Sequence, residues 1–145
     1  MYNNIYNAIQ ILSKGDVADL KRRSLASIAD APAYFRILAY SKSPDSKQTQ
    51  RIIFLLLHTK LADGEDGLSV AQALINAGVK EGQIIQLVRS GDNGIDYLKR
   101  QLVRCKDVSQ VSLGKLAQYW GENARRQLLK EFILANTEKF ETESN

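Results

Sequence analysis

Hydrophobic residues recur along most of the chain at the three- and four-residue spacing of an α-helix, and short polar or glycine-containing breaks separate these runs. The first run covers Tyr2 to Leu12, and we expect Gly15 to end its helix and Asp16 to cap the next one. No segment alternates convincingly between polar and apolar residues, as a half-buried strand would. The pattern therefore predicts an all-α protein.

Two prolines mark the predicted third and fourth helices. Asp30 precedes Pro32, which suits an N-cap followed by a first helical turn, and Ser43-Pro44 opens a helix that runs to about Leu61. The apolar run 52–57 has the composition of a buried strand. Its flanks extend the segment beyond ordinary strand length, so we interpret it as a buried helix.

The polar, glycine-rich segment ADGEDG at residues 62–67 is the best candidate for a domain boundary. We predict two small packed helical bundles, an N-terminal one at 1–62 and a C-terminal one at 68–145. In the second bundle, we expect Ser69 to cap a helix that Gly78 closes. The last helix is predicted to begin at Ser112, with an apolar face formed by Leu113, Leu116, Ala117, Trp120, Ala124, Leu128 and Phe132.

The chain is poor in residues for catalysis. His58 is the only histidine and Cys105 the only cysteine, so these two cannot build a zinc site by themselves, and no intrachain disulfide is possible. We expect a satisfied, partly buried histidine and a packed thiol. No phosphate loop or dinucleotide fingerprint is present. We therefore expect no enzymatic activity, no cofactor and no metal.

The N-terminus has no basic region and no cleavage site of a signal peptide, and the longest apolar run is far too short for a bilayer span. We expect a cytoplasmic protein without a membrane partner. The net charge of +4 favours anionic partners only mildly. Its distribution is more informative, because residues 89–130 carry nine lysines and arginines against four acids.

Two interpretations of this basic stretch stay open at the level of spacing. One is a solvated surface, in which Asp96 neutralises Arg100 and Glu122 reaches Arg126, each four residues away. The other is a groove that follows phosphates, in which arginine offers a planar fork of donors. Arg104 has no local acid partner and Lys99 flanks this group, so both belong to the candidate set for nucleic-acid binding.

Residues 70–88 also allow a helix-turn-helix interpretation. The second helix would present Gln83, Gln86 and Arg89 to a DNA groove, but Leu74 occupies a position where the usual motif has a small residue. An ordinary helical hairpin is the favoured alternative.

The order and spacing of several segments over residues 9–139 resemble the small subunit of the type I-E CRISPR surveillance complex Cascade, the CasB family. These segments are GDVADLKRRS, APAYFRIL, QRIIFLLL, GLSVAQALINAGVKEGQIIQLVRSG, DYLKRQLVR and YWGENARRQLLKEFIL. The resemblance implies a non-catalytic, all-helical subunit that binds nucleic-acid backbone without sequence specificity and stabilises the R-loop. It implies as partners the other Cascade subunits with crRNA, the target and displaced DNA strands, and a second copy of the chain.

The resemblance also implies functions for individual residues. Lys21, Arg22, Arg51, Arg89, Arg100 and Arg125 fall on basic positions of the family. The chain departs from the family at Asp92, at Glu122 and Asn123 where a basic pair is common, and at Tyr119, which replaces the first of two tryptophans. Arg126 can compensate for the missing charge. The alternative functions are a structural adaptor between neighbouring subunits and a helix-turn-helix regulator.

Overall fold

The chain is helical almost throughout the part that a computed structural model describes, which is residues 2–63 and 66–144, with side chains up to Thr137. These residues form no β-strand, only isolated backbone bridges, so the predicted all-α class is confirmed. Two single 3₁₀ turns lie at Ile28–Asp30 and Gly91–Asn93. The α-helices in the described residues are α1 (Tyr2–Gln10), α2 (Lys14–Arg22), α3 (Pro32–Ser41), α4 (Lys47–Leu57), α5 (Val70–Asn76), α6 (Glu81–Arg89), α7 (Gly94–Leu102), α8 (Gln110–Gln118) and α9 (Glu122–Ser144).

Serine hydroxyls set the start of several helices. The Ser13 hydroxyl accepts a hydrogen bond from the Asp16 backbone N–H at 3.1 Å, which satisfies one of the free donors at the start of α2. Gly15 therefore lies inside α2, and the prediction that it ends a helix with Asp16 as the next cap is wrong. Ser69 caps α5 as predicted, because its hydroxyl accepts from the Gln72 backbone N–H.

The bounds of the third and fourth helices also differ from the prediction. Ala31, not Asp30, is the residue before α3, and Pro32 occupies the first turn. Ser46 caps α4 through the Thr49 backbone N–H, so this helix begins after the Ser43-Pro44 step. The helix ends at Leu57, four residues before the predicted end. The interpretation of the apolar run as a buried helix is confirmed, because all six residues at 52–57 are buried.

Helix α4 lies at the centre of the packing. It contacts α1, α2, α7 and α8, so residues from both predicted bundles surround its apolar side chains. Helices α5 and α6 pack against α9, and α1 packs against α3. The buried side chains form one continuous cluster that extends from Ile5 to Phe132. Burial of this cluster is the main force that holds the helices together.

The predicted division into two bundles stays a prediction. Its terminal residues Met1 and Asn145, and residues 64 and 65 of the boundary loop, lie outside the described residues. The described flanks of that loop are fastened to the chain at 107–109. The Ala62 backbone N–H donates to the Val108 carbonyl at 2.9 Å, and the Leu68 N–H donates to the Asp107 carbonyl at 2.8 Å.

The predicted last helix is two helices. α8 begins after Ser109, which caps it through the Ser112 backbone N–H, and it ends at Gln118. α9 begins at Glu122, so residues 119–121 form a break. Periodicity did not reveal this break, because Trp120 is buried and continues the apolar face across it.

Candidate nucleic-acid interface

Trp120 joins two segments that are distant in sequence, residues 91–94 and the break before α9. Its side chain is buried, and its indole Nε1–H donates to the Gly91 carbonyl at 2.8 Å. The ring also packs on Gly94, where an added Cβ would lie 2.8 Å from Trp120 Cζ2. We refer to Trp120, Gly91 and Gly94 as the Trp120 junction. It fixes the turn that follows Arg89 against the start of α9.

Arg125 contacts the same junction. Its guanidinium lies 5.9 Å from the centre of the Trp120 ring, and its Nη1 donates to the Trp120 carbonyl at 3.3 Å. A cation over an indole ring is attracted by the negative face of the ring. This contact holds Arg125 in place and uses only part of its donor set, since a guanidinium has five N–H groups.

Arg51 has a structural function that the sequence did not indicate. Its Nε donates to the Ala117 carbonyl at 2.8 Å, and its Nη2 donates to the Gln118 carbonyl at 3.0 Å. These carbonyls lie at the C-terminal end of α8, where backbone acceptors lack helical partners and a cation is favoured. Burial lowers the pKa of Arg51, and nearby Asp92 opposes this effect.

Arg89 is exposed at the end of α6, two residues before the Trp120 junction. Among the described residues it forms no ion pair within 4.0 Å. The junction therefore fixes the chain two residues after Arg89 against Trp120, the residue that Arg125 also contacts.

Lys21 and Lys99 lie near His58, although they come from α2 and α7. The Lys99 ammonium is 5.5 Å from the centre of the Phe54 ring, and this ring packs edge-on against the His58 imidazole at 5.3 Å. Burial, Lys99 and Lys21, in that order, lower the pKa of His58 to about 4. The imidazole is therefore neutral at neutral pH, and the local positive charge comes from the two lysines.

The two residues that we expected to be packed differ in their surroundings. His58 is partly buried as predicted, and its Nε2 atom forms no hydrogen bond with the described residues, so the satisfied histidine stays a prediction. Cys105 is buried as predicted, and burial raises the pKa of its thiol. A buried thiol with a raised pKa is a packing group, because the thiolate is the reactive form.

The remaining basic candidates fall into two groups. Arg104 donates to the Ala77 carbonyl at 3.0 Å and so holds the end of α5, and Arg100 lies 5.6 Å from the centre of the Tyr97 ring. Arg22 and Arg126 are exposed. The two ion pairs that the solvated interpretation allows, Asp96–Arg100 and Glu122–Arg126, do not form within 4.0 Å. The described side chains show only the pairs Arg23–Asp19 and Arg36–Asp16.

A cleft of about 540 Å³ opens beside the Trp120 junction, at the break between α8 and α9. Gln48, Tyr119, Glu122 and Asn123 line it together with Arg51. Gln48 could not be identified from the sequence, because an exposed glutamine in the first turn of a helix has no pattern that separates it from a solvated residue.

The described residues contain no group of three or more histidine, cysteine, aspartate or glutamate side chains that could hold a metal ion. None of their helices is both long and apolar enough to cross a bilayer.

The comparisons with known proteins agree with the resemblance in the sequence. The chain is similar to a chain in the crystal structure of E. coli Cascade bound to a PAM-containing double-stranded DNA target with a 32-nucleotide spacer. The TM-score is 0.80 at 28% identity, and the match covers 92% of this chain and 95% of that one. No protein-family model and no curated protein matches the sequence. The predicted similarity to a Cascade component is confirmed.

Proposed function

We propose that this chain is the non-catalytic small subunit of a type I-E Cascade complex and that it holds nucleic-acid backbone without reading sequence. One observation carries the proposal: the match to a chain of DNA-bound E. coli Cascade covers nearly the full length of both chains at a TM-score of 0.80. Nearly complete coverage of both chains favours an equivalent subunit over a shared local motif.

The basic residues suit contact with phosphates. Arg22, Arg89 and Arg126 are exposed, and none of them forms an ion pair with a described residue, so their guanidinium groups can donate to phosphate oxygens. Phosphate contacts position a protein on nucleic acid and carry no sequence information directly. In an RNA-guided complex, base pairing with the guide supplies the sequence specificity.

The subunit would stabilise the R-loop by binding the backbone of the displaced DNA strand or of the target strand that pairs with the guide. Its partners would be the other Cascade subunits with crRNA, both DNA strands and a second copy of itself, in the cytoplasm. Cleavage would require a separate nuclease, since we assign no catalytic group to this chain.

Salt dependence tests the proposal directly. We change Arg22, Arg89 and Arg126 to glutamine together, reconstitute the complex and measure its affinity for target DNA across a salt series. Each lost phosphate contact reduces the slope of log K against log salt by about 0.7 to 0.9, so three contacts would reduce it by about 2 to 3. A control with Lys60, Lys80 and Lys106 changed to glutamine removes the same charge from other exposed positions and should keep the original slope.

Two results would contradict the proposal. An unchanged slope and affinity for the arginine variant would show that these residues do not hold nucleic acid. Loss of the variant from the complex on size-exclusion chromatography would favour the adaptor function, in which the arginines pair with acids of neighbouring subunits. Selection of one duplex motif by the isolated chain would instead support the helix-turn-helix alternative.

A further inference from the structure

Tyr119 has a large, solvent-exposed side chain, and other residues hold the backbone on both sides of it. The residue is 61% exposed and lies in the break between α8 and α9. Before it, Arg51 binds the Ala117 and Gln118 carbonyls. After it, the Trp120 indole binds the Gly91 carbonyl. The ring therefore projects from a backbone that is fixed on both sides.

We propose that Tyr119 is a stacking platform for an unpaired nucleobase, which enters the cleft beside it. The inference rests on the proposed function and adds a second kind of contact to it. Proteins that bind single strands combine cations along the backbone with aromatic rings on which bases stack. An exposed apolar side chain needs no special explanation by itself. Tyr119 is distinguished by its position in the wall of a cleft that Gln48, Glu122 and Asn123 also line.

The cleft is better suited to a base than to a phosphate. Its wall carries Glu122, whose carboxylate repels phosphate, and its one arginine, Arg51, already donates to two backbone carbonyls. Gln48 and Asn123 supply exposed amide groups, which both donate and accept hydrogen bonds as the edges of bases do.

One further cation lies beside the cleft. Arg125 is fixed over the ring of Trp120, which lines the cleft, so it can contact the backbone of a strand whose base is inserted. The break between the helices thus offers an aromatic face with one guanidinium group beside it. A partner protein could also pack against this ring, and the experiment below separates a protein contact from a stacked base.

The experiment compares Tyr119→Ala, which removes the ring, with Tyr119→Phe, which keeps it. Tyr40→Ala is the matched control, because Tyr40 is 54% exposed and lies on α3. Each variant is reconstituted in the complex, and its affinity for target DNA is measured across a salt series. The range known for base–aromatic stacking predicts that Tyr119→Ala weakens binding by about five- to 150-fold. Tyr119→Phe and Tyr40→Ala should bind like the unchanged chain.

The salt series separates stacking from phosphate binding. The tyrosine ring is uncharged, so Tyr119→Ala should lower affinity without changing the salt slope, whereas the arginine variant changes the slope. If Tyr119→Ala stays within twofold while the arginine variant loses its slope, the stacking inference is wrong and the proposed function stands. If neither variant has an effect, both are wrong. Loss of Tyr119→Ala from the complex would show a protein contact and would overturn the inference.

A fluorescent base identifies the strand. 2-Aminopurine is placed at successive positions of the displaced DNA strand in one series and of the guide RNA in another. Stacking on a tyrosine ring quenches its fluorescence, so one position of one strand should brighten when Tyr119 becomes alanine and stay quenched when it becomes phenylalanine. Equal fluorescence of the Ala and Phe variants at every position of both strands would overturn the inference.

Discussion

Arg51→Met should destabilise the protein strongly, although Arg51 belongs to the residues predicted to bind nucleic acid. The guanidinium makes two hydrogen bonds, of 2.8 and 3.0 Å, to the last carbonyls of α8. Methionine keeps much of the apolar stem and removes both donors, so the carbonyls of Ala117 and Gln118 lose a charged partner in a partly buried place. The change therefore isolates the polar contact between α4 and α8.

The magnitude follows from those two bonds. A hydrogen bond from a charged donor contributes about 1.5 to 3 kcal/mol, and a cation at a helix C-terminus adds about 0.3 to 1 kcal/mol. Water can replace part of this interaction, since Arg51 is only partly buried. We expect a loss of about 2 to 4 kcal/mol. With 145 residues, the unfolding entropy is about 0.3 kcal/mol per kelvin, so a loss of 3 kcal/mol lowers Tm by about 10 °C.

Urea unfolding measures this loss with two probes. Circular dichroism follows the helices, and Trp120, the only tryptophan, reports by fluorescence on the junction next to α8. Arg126→Met is the control, because Arg126 is exposed and should change stability by less than about 0.5 kcal/mol. Arg51→Lys should fall between the two, since lysine keeps the charge but not the planar fork. An Arg51→Met stability within about 0.5 kcal/mol of the unchanged chain would refute the reasoning.

Two further predictions concern close packing and pH. Gly114→Ala should lower the free energy of unfolding by about 1 to 3 kcal/mol in thermal unfolding, because the added Cβ would overlap the Tyr2 ring. Combining it with Tyr2→Ala should relieve most of this loss, and additive effects of the two changes would contradict the account. The pKa of His58 is about 4 in the folded chain, below its ordinary value of 6.5. Between these two values the unfolded chain binds more protons than the folded chain, so the free energy of unfolding should decrease as the pH falls from 6.5 to 4. Since the imidazole is partly exposed, we expect about 1 to 2 kcal/mol of this effect, measured as the difference between the unchanged chain and His58→Phe in urea unfolding; parallel stability curves from pH 7 to 4 would contradict it.

Local signals in the sequence located most helices and missed several of their ends. The serine at 69 and the glycine at 78 were sufficient to bound α5, because a cap and a left-handed glycine act within one helical turn. Gly15 misled the prediction, since a glycine inside a helix costs only about 1 kcal/mol and Ser13 provides a good cap two residues earlier. Ser13 and Ser46 could have been recognised as caps, but Asp16 and the Ser43-Pro44 step are also typical helix starts and lie within three residues of them.

The basic residues of the candidate site could be identified from the sequence, but their different functions could not. Arg51 and Arg89 look alike as residues beside an apolar run. In the fold, Arg51 binds the end of α8, while Arg89 stays exposed. The partner of Arg51 lies 66 residues away, and no local pattern encodes a contact at that separation. The cleft could not be predicted for the same reason, because its wall combines Gln48 with residues 118–124, which are distant in sequence.

The all-α class could be predicted from the amino-acid pattern alone, as could the buried character of α4, the scarcity of catalytic groups and the similarity to a Cascade component. These properties depend on composition, on periodicity within a few turns and on the order of segments along the chain. The tertiary structure was needed to show that residues 119–121 separate α8 from α9, that Trp120 contacts both Gly91 and Arg125, and that Tyr119 is exposed. Each of these depends on which distant segments pack together, and burial of the shared core selects that arrangement.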